Sequence, residues 1–388
     1  MSYLNLPLLC RGRSYRDELV FPDEVFEDRD KAVRKMASDL GLTGVIVFAG
    51  AYQRGLICYL TYQRNSFSYA NTMWIVPKEA KSVMLTSAGL RDIKDTKRHL
   101  PNFVELFPIG LNLLANDHIG VQAVKYLKDN GMHEGKWGIV NGDSIPYTAY
   151  QALVEGGLNL VDMSASFEDI KAIKDSNELY TISQAATMAQ RAVYDFIRQA
   201  SAGAKPIEIA AYLERGMRIN GIEHPNFLIS RGADTAFTVF DRTPLEEGEM
   251  ISLYADIQFL HYHGAFGTTA VVGGGSAKQN ALIDKAKALL DKTIDDIATS
   301  RKANIGYKKI DDSGSYVMIN SIGTDLVDAP TWQGVVIDVK PCMALNVTAN
   351  LCDSKVGSAV NSRTAVVSQN GVNVLNDFGP HPLSKQYA

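Results

Sequence analysis

Short apolar runs recur through the first 165 residues, at Val45 to Phe48, Met73 to Val76, Val83 to Thr86, Trp137 to Val140 and Leu160 to Asp162. Each is rich in β-branched or aromatic side chains and short enough to be a buried strand, and polar segments of helical spacing lie between them, so the pattern predicts an α/β domain. Near Ile170 the period changes. Asp175-Ser176-Asn177-Glu178 has the Asp-x-x-Glu form of a capping box, and Leu179, Ile182, Ala185, Ala186 and Ala189 follow on one helical face. A second helix is expected from Pro206, a favoured first-turn residue, to about Gly221, and a third from Ala277 to Thr299. Met250 to Phe259, Thr269 to Val272, Met343 to Thr348 and Thr364 to Ser368 read as strands. Gly273-Gly274-Gly275-Ser276 sits between a strand and a helix, where it serves either as a flexible turn or as an anion cradle.

Composition narrows the class. At 388 residues the chain is long enough for two domains, and with 39 basic against 43 acidic residues its net charge of −4 offers nucleic acid no electrostatic attraction. The apolar runs fall far short of the roughly 20 residues of a membrane span, and the first residues lack a basic segment and a small-residue cleavage site, so a cytoplasmic protein is expected. Cys10, Cys58, Cys342 and Cys352 lie far apart with no CxxC, against a disulfide framework or structural zinc. No phosphate loop, dinucleotide fingerprint, HExxH or GxSxG occurs.

Of seven histidines, His261 and His263 are close together. If both lie on one strand they share a face, where they serve as acid or base, as a hydrogen-bonded pair, or as two ligands of a metal that would lack the rest of its set. Tyr254 and Asp256 are likewise two apart and share a face of the strand starting at Ile251.

Several further stretches carry a resemblance. Ile173-Lys174-Asp175 through Ala189, Gly248-Glu249-Met250-Ile251, Tyr262 to Gly273 (YHGAFGTTAVVG), Ser321 to Pro330 (SIGTDLVDAP), Pro341-Cys342-Met343 and Ser362 to Val367 (SRTAVV) occur in the order of motifs in the pita-bread family of methionine aminopeptidase, aminopeptidase P, prolidase and creatinase. The resemblance covers most of residues 168 to 375. It implies an α/β N-terminal domain over 1–165, laid out as in the creatinase and prolidase branch, followed by an α+β pita-bread domain over 168–388.

The family's peptidases hold two divalent metals with two aspartates, a histidine and two glutamates, and the matching positions here are Tyr254, Ala265, Asn320, Thr348 and Ser362. These neutral side chains offer no carboxylate to offset two dications, so no metal or other cofactor is expected. The positions of the family's other histidines read Thr238 and Val327, and Asp328 stands where a glutamate is usual. Creatinase works without a metal, but its catalytic histidine and glutamates are not matched either.

Three readings follow. The first is a metal-independent hydrolase or lyase acting on a small anionic or zwitterionic nitrogen compound, by C–N hydrolysis, elimination or cyclisation. Asp256 and His263 would be its acid and base and Tyr254 its hydrogen-bonding electrophile, with Arg64, His261, Asn320, Asn346, Thr348, Ser362 and Arg363 around the substrate. Arg64 falls in a stretch that creatinase relatives insert into a neighbouring subunit's pocket, which implies a homodimer. Arg363 offers an anionic group the charge that metals would have given. The second is a non-catalytic scaffold, which the lack of an acidic tail or basic patch disfavours. The third is a retained peptidase.

Overall fold

The computed structural model describes residues 21–50, 55–61, 71–86, 100–109, 119–329 and 334–376. They divide into two compact units, with the boundary between Lys171 and Ala172.

The first unit contains helix α1 (Asp23–Asp39), strand β1 (Gly44–Ala49), α2 (Gly55–Thr61), β2 (Thr72–Pro77), β3 (Val83–Thr86), β4 (Glu105–Pro108), α3 (Ile119–Asp129), β5 (Lys136–Val140), α4 (Tyr147–Glu155), β6 (Asn159–Asp162) and α5 (Ser164–Ala172). The strands form one sheet in the order β4-β3-β2-β1-β5-β6. β1 is parallel to β5 and antiparallel to β2. Its residues are all buried, and they alternate between two clusters: Val45 and Val47 pack on one face with Trp74 and Phe167, Ile46 and Phe48 on the other with Trp137 and Leu153. A strand covered on both faces reads as the continuous apolar run GVIVFA. The helix after β6 belongs to this unit: Phe167 of α5 is buried in its core with its ring 6.1 Å from that of Tyr59.

The second unit contains α6 (Ser176–Gln199), α7 (Pro206–Ile219), β7 (Ile222–Arg231), β8 (Met250–Phe259), β9 (Tyr262–Val271), α8 (Ala277–Ser300), β10 (Lys302–Lys309), β11 (Tyr316–Ser321), β12 (Val335–Asp338), β13 (Ala344–Asp353), β14 (Gly357–Ser368) and β15 (Gly371–Val374). The sheet order is β12-β10-β11-β13-β14-β9-β8-β7, with β15 on β14. The capping box forms: Asp175 accepts from the Asn177 and Glu178 amides, and Glu178 accepts from the Asp175 amide. Ser276 caps α8 with Gln279 in the same way, so the preceding glycine run acts as the turn into that helix.

Leu253, Ala255, Ile257 and Phe266 send one face of β8 and β9 into a core with Ala189, Val193 and Phe196 of α6. The opposite face is polar. β9 and β14 pair in regular register only at Gly267–Ser362 and Phe266–Arg363. Side chains continue the ladder at either end: Thr269 Oγ1 accepts from the Val360 amide at 2.7 Å, and Thr364 Oγ1 accepts from the Ala265 amide at 2.9 Å.

Gly264 lies where β9 meets α6. A Cβ there would overlap backbone atoms of Ala185 and Ala186, which cannot yield as a side-chain tip can. Gly264→Ala should therefore cost about 1–3 kcal/mol, the usual range for overpacking. Gly216→Ala, on α7 with open space at its Cβ, should gain about 0.5–1 kcal/mol from helix propensity. Denaturant midpoints of the two variants, moving in opposite directions, check both.

Candidate active site

In an antiparallel sheet, residues directly opposite share a face. The registers Met318–Thr348–Ser362–Gly267–Tyr254 and Asn320–Asn346 followed by Ala265–Asp256 therefore bring Tyr254, Asp256, Ala265, Asn320, Asn346, Thr348 and Ser362 to one face of the second unit's sheet. The five positions that match the family's metal ligands thus converge in space, as their scattered sequence positions alone would not require.

What converges is a neutral ladder. Thr348 Oγ1 and Ser362 Oγ are 2.7 Å apart, Ser362 Oγ donates to Asn346 Oδ1 at 3.0 Å, and Asn346 Nδ2 donates to Tyr254 Oη at 3.2 Å. Asn320 Nδ2 donates to the carbonyls of Leu326 and Ser321 at 2.7 and 3.1 Å. Asn346, Thr348 and Ser362 are fully buried, so these bonds replace the water the groups would otherwise bind. Burial, and then the charge of Asp256, pushes the Tyr254 phenol far above its ordinary pKa, which keeps it protonated.

A pair of divalent ions needs several hard, charged oxygen ligands around each ion. The ladder supplies hydroxyls and amides already bonded to one another, and among the described residues no three His, Cys, Asp or Glu side chains cluster as a metal would require. The donor set does not fit a dinuclear centre.

The charged chemistry on this face belongs to Asp256 and His263. Asp256 pairs with Ala265 in register, so His263 stands diagonally across from it, and His263 Nδ1 lies 2.8 Å from Asp256 Oδ1 and 3.1 Å from Oδ2. The Asp256 side chain is 4% exposed and that of His263 13%. Burial drives the imidazole pKa down, but the Asp256 charge and hydrogen bond, with Asp325 and Asp328 behind them, outweigh it and hold His263 above its ordinary value.

Two expected site residues are placed elsewhere. Leu260 and His261 have φ of +47° and +71° and form the two-residue turn joining β8 to β9, so His261 does not share a strand face with His263. His261 is buried instead against Glu223, whose Oε2 accepts its backbone amide at 2.9 Å. Glu223 is the extra residue of a bulge in β7, a placement that carries no sequence signal of its own. Arg363 follows Ser362 on β14 and so faces the other way. Its guanidinium lies 4.2 Å from the centroid of the Phe266 ring and donates to the carbonyls of Gly267 and Ser362 at 2.9 Å, leaving it unable to serve a ligand on the polar face. Arg64 lies outside the described residues, as does Cys10.

Residues 181–320 match metallopeptidase family M24. The Xaa-Pro dipeptidase of Pyrococcus horikoshii is 25% identical over 228 residues, which span 52% of this chain and 62% of that relative's length. The structure superposes on the Xaa-Pro dipeptidase from Bacillus anthracis with a TM-score of 0.73 at 16% identity, covering 91% of this chain and 98% of the other. The X-Pro aminopeptidase from Thermotoga maritima gives 0.73 at 13% identity, covering 90% and 98%. The chain has the two-domain pita-bread fold seen in prolidase and aminopeptidase P. Its named relatives are peptidases, which overturns both the creatinase-like reading on a small nitrogen compound and the non-catalytic scaffold. Among the described residues no helix is long and apolar enough to cross a membrane.

The raised His263 pKa has a measurable sign. Its protonated form is favoured in the folded state, so the resulting stability is complete below the ordinary value near pH 6.5 and is lost as pH rises through the folded value. Unfolding free energies across about pH 5–9 should fall along that window in the wild type, and Asp256→Asn should flatten that slope.

Proposed function

We propose that this protein hydrolyses the peptide bond of short peptides, with His263 carrying the proton and no metal taking part. The single observation behind this reading is the hydrogen-bonded Asp256–His263 pair, partly open to solvent, on the face where the neutral ladder replaces a ligand set. The names of the relatives supply the bond type: prolyl dipeptides are the first substrates to test.

In this mechanism Asp256 accepts the Nδ1 proton of His263, which fixes the tautomer and turns Nε2 to the substrate as a base. The pair raises the basicity of Nε2, at the cost of keeping it protonated to a higher pH. A water loses its proton to Nε2 as its oxygen bonds to the carbonyl carbon. The carbon–nitrogen bond then breaks, and the same proton passes from Nε2 to the departing amine, so no further reactant is consumed. Tyr254 Oη accepts from Asn346 and keeps its own proton, which it can donate to the carbonyl oxygen as negative charge develops there.

Two arms test this. On a prolyl dipeptide panel, after exhaustive chelation, the wild type should turn over, His263→Gln should lose about 10²–10⁴ in kcat, and Tyr254→Phe should lose on the order of 10². The kcat of the wild type should rise with pH through the raised His263 value and level off above it. Folded protein that cleaves none of the panel overturns the peptidase assignment. Elemental analysis finding stoichiometric manganese, cobalt or zinc overturns the metal-free mechanism.

A further inference from the structure

We propose that Lys174 and Asp328, a buried ion pair outside the ladder, are positioning residues that clamp His263 in place. The inference deepens the reading of His263 as the proton carrier and rests on it.

The Lys174 ammonium meets Asp328 Oδ2 at 2.8 Å, with the two side chains 1% and 2% exposed. Isolating two charges this deeply is justified energetically only when other polar groups complete the shell. Here the turn that carries Asp328 contributes further hydrogen bonds. The same Oδ2 accepts from the Thr324 amide at 3.2 Å, the Asp328 amide donates to the Ser321 carbonyl at 3.0 Å, and the Gly323 amide donates to the Asp325 carbonyl at 3.1 Å. Residues 321–328 thus form one hydrogen-bonded turn that meets the carboxylate through the Thr324 amide. Gly323 has to be glycine for this, because a Cβ would overlap Asp328 Oδ2 and press on the Lys174 ammonium.

That turn touches the site directly. The His263 amide donates to the Gly323 carbonyl at 2.7 Å, which holds the first residues of β9 against the turn. Asn320 Nδ2, from the polar face, donates to the Leu326 carbonyl of the same turn. On its other side the clamp is anchored to two rigid elements: the Lys174 amide donates to the Cys342 carbonyl at 3.0 Å, and Lys174 immediately precedes the capping box of α6. The path from Lys174 through Asp328 and Gly323 to His263 is continuous, and it fixes the backbone from which the imidazole reaches Asp256. The charged groups around the imidazole are Asp256, Asp325 and Asp328, and Lys174 offsets the last of them.

The test reads the His263–Asp256 bond itself, on the full chain with ¹⁵N-labelled histidine. The Nδ1 proton held by Asp256 gives a downfield ring resonance, assigned by its loss in His263→Gln. Lys174→Met and Asp328→Asn should each broaden or abolish this resonance. Arg231→Met, which breaks the partly buried Arg231–Glu249 pair of the same unit, should lower the melting temperature and leave the resonance in place. The double variant Lys174→Met/Asp328→Leu exchanges the pair for apolar groups, so it should recover melting temperature but not the resonance; it also serves should either single variant fail to fold. In peptide hydrolysis the double variant should lose on the order of a hundredfold in kcat with little change in KM, the signature of misplacement. Single variants that keep the resonance, or a double variant that regains it, overturn the clamp. Should the wild type cleave no peptide, the hydrolysis reading fails while the resonance still decides the clamp.

Discussion

The hydrogen bonds joining Tyr254, Asn346, Ser362 and Thr348 set the conditions for everything on the polar face of the second sheet. These side chains come from β8 and, about a hundred residues further on, the adjacent strands β13 and β14, and burial gives them no alternative partner in water. Each bond contributes only about 1 kcal/mol, yet leaving one member unpaired costs more than the bond is worth. The ladder therefore behaves as a unit. Its members are committed to one another, and the remaining face, at Asp256 and His263, is where a charge can be stabilised by a neighbouring charge.

This arrangement explains why the protein keeps a pita-bread frame while departing from the donor set that the family name implies. A sheet face built to hold carboxylates around dications has two ways of losing them: leaving buried holes, or filling the space with groups that satisfy each other. Here the hydroxyls and amides do the second. Electrostatically the outcome is conservative. Two of the buried pairs, Asp256 with His263 and Asp328 with Lys174, set a carboxylate against a basic group.

Much of the frame was legible in the sequence because periodicity and capping are local. The Asp175–Glu178 box, Pro206 at a helix start and the alternation from Met250 to Phe259 each report a physical preference within a few residues, and each element formed. The convergence of Tyr254, Asn320, Asn346, Thr348 and Ser362 was legible only through the order of motifs, since nothing in their spacing brings β8, β11, β13 and β14 together. Where the sequence misled, the cause is specific. Leu260-His261 turns the chain with positive φ at both residues and without the glycine or asparagine that usually marks such a turn, so a period of two was carried one hairpin too far. Arg363 was misplaced for the opposite reason: neighbours on a strand point apart, so a pocket that takes Ser362 excludes Arg363.

The same parity separates the surroundings of His263 from those of His261. An imidazole needs a fixed carboxylate on one nitrogen and access on the other. His261 occupies a turn whose backbone is already committed to Glu223, and its ring is sealed inside the fold with 4% exposure of its side chain. His263 sits two residues further, on the first full rung of β9, with Asp256 across the ladder and its own backbone tied to the Gly323 turn. One position is held by structure at the expense of chemistry. At the other, the Gly323 turn holds the backbone and the ring meets Asp256. A pair of histidines two apart in a sequence therefore does not define a site until the turn between the strands has been located, because that turn decides which of the two stands on the polar face of the sheet.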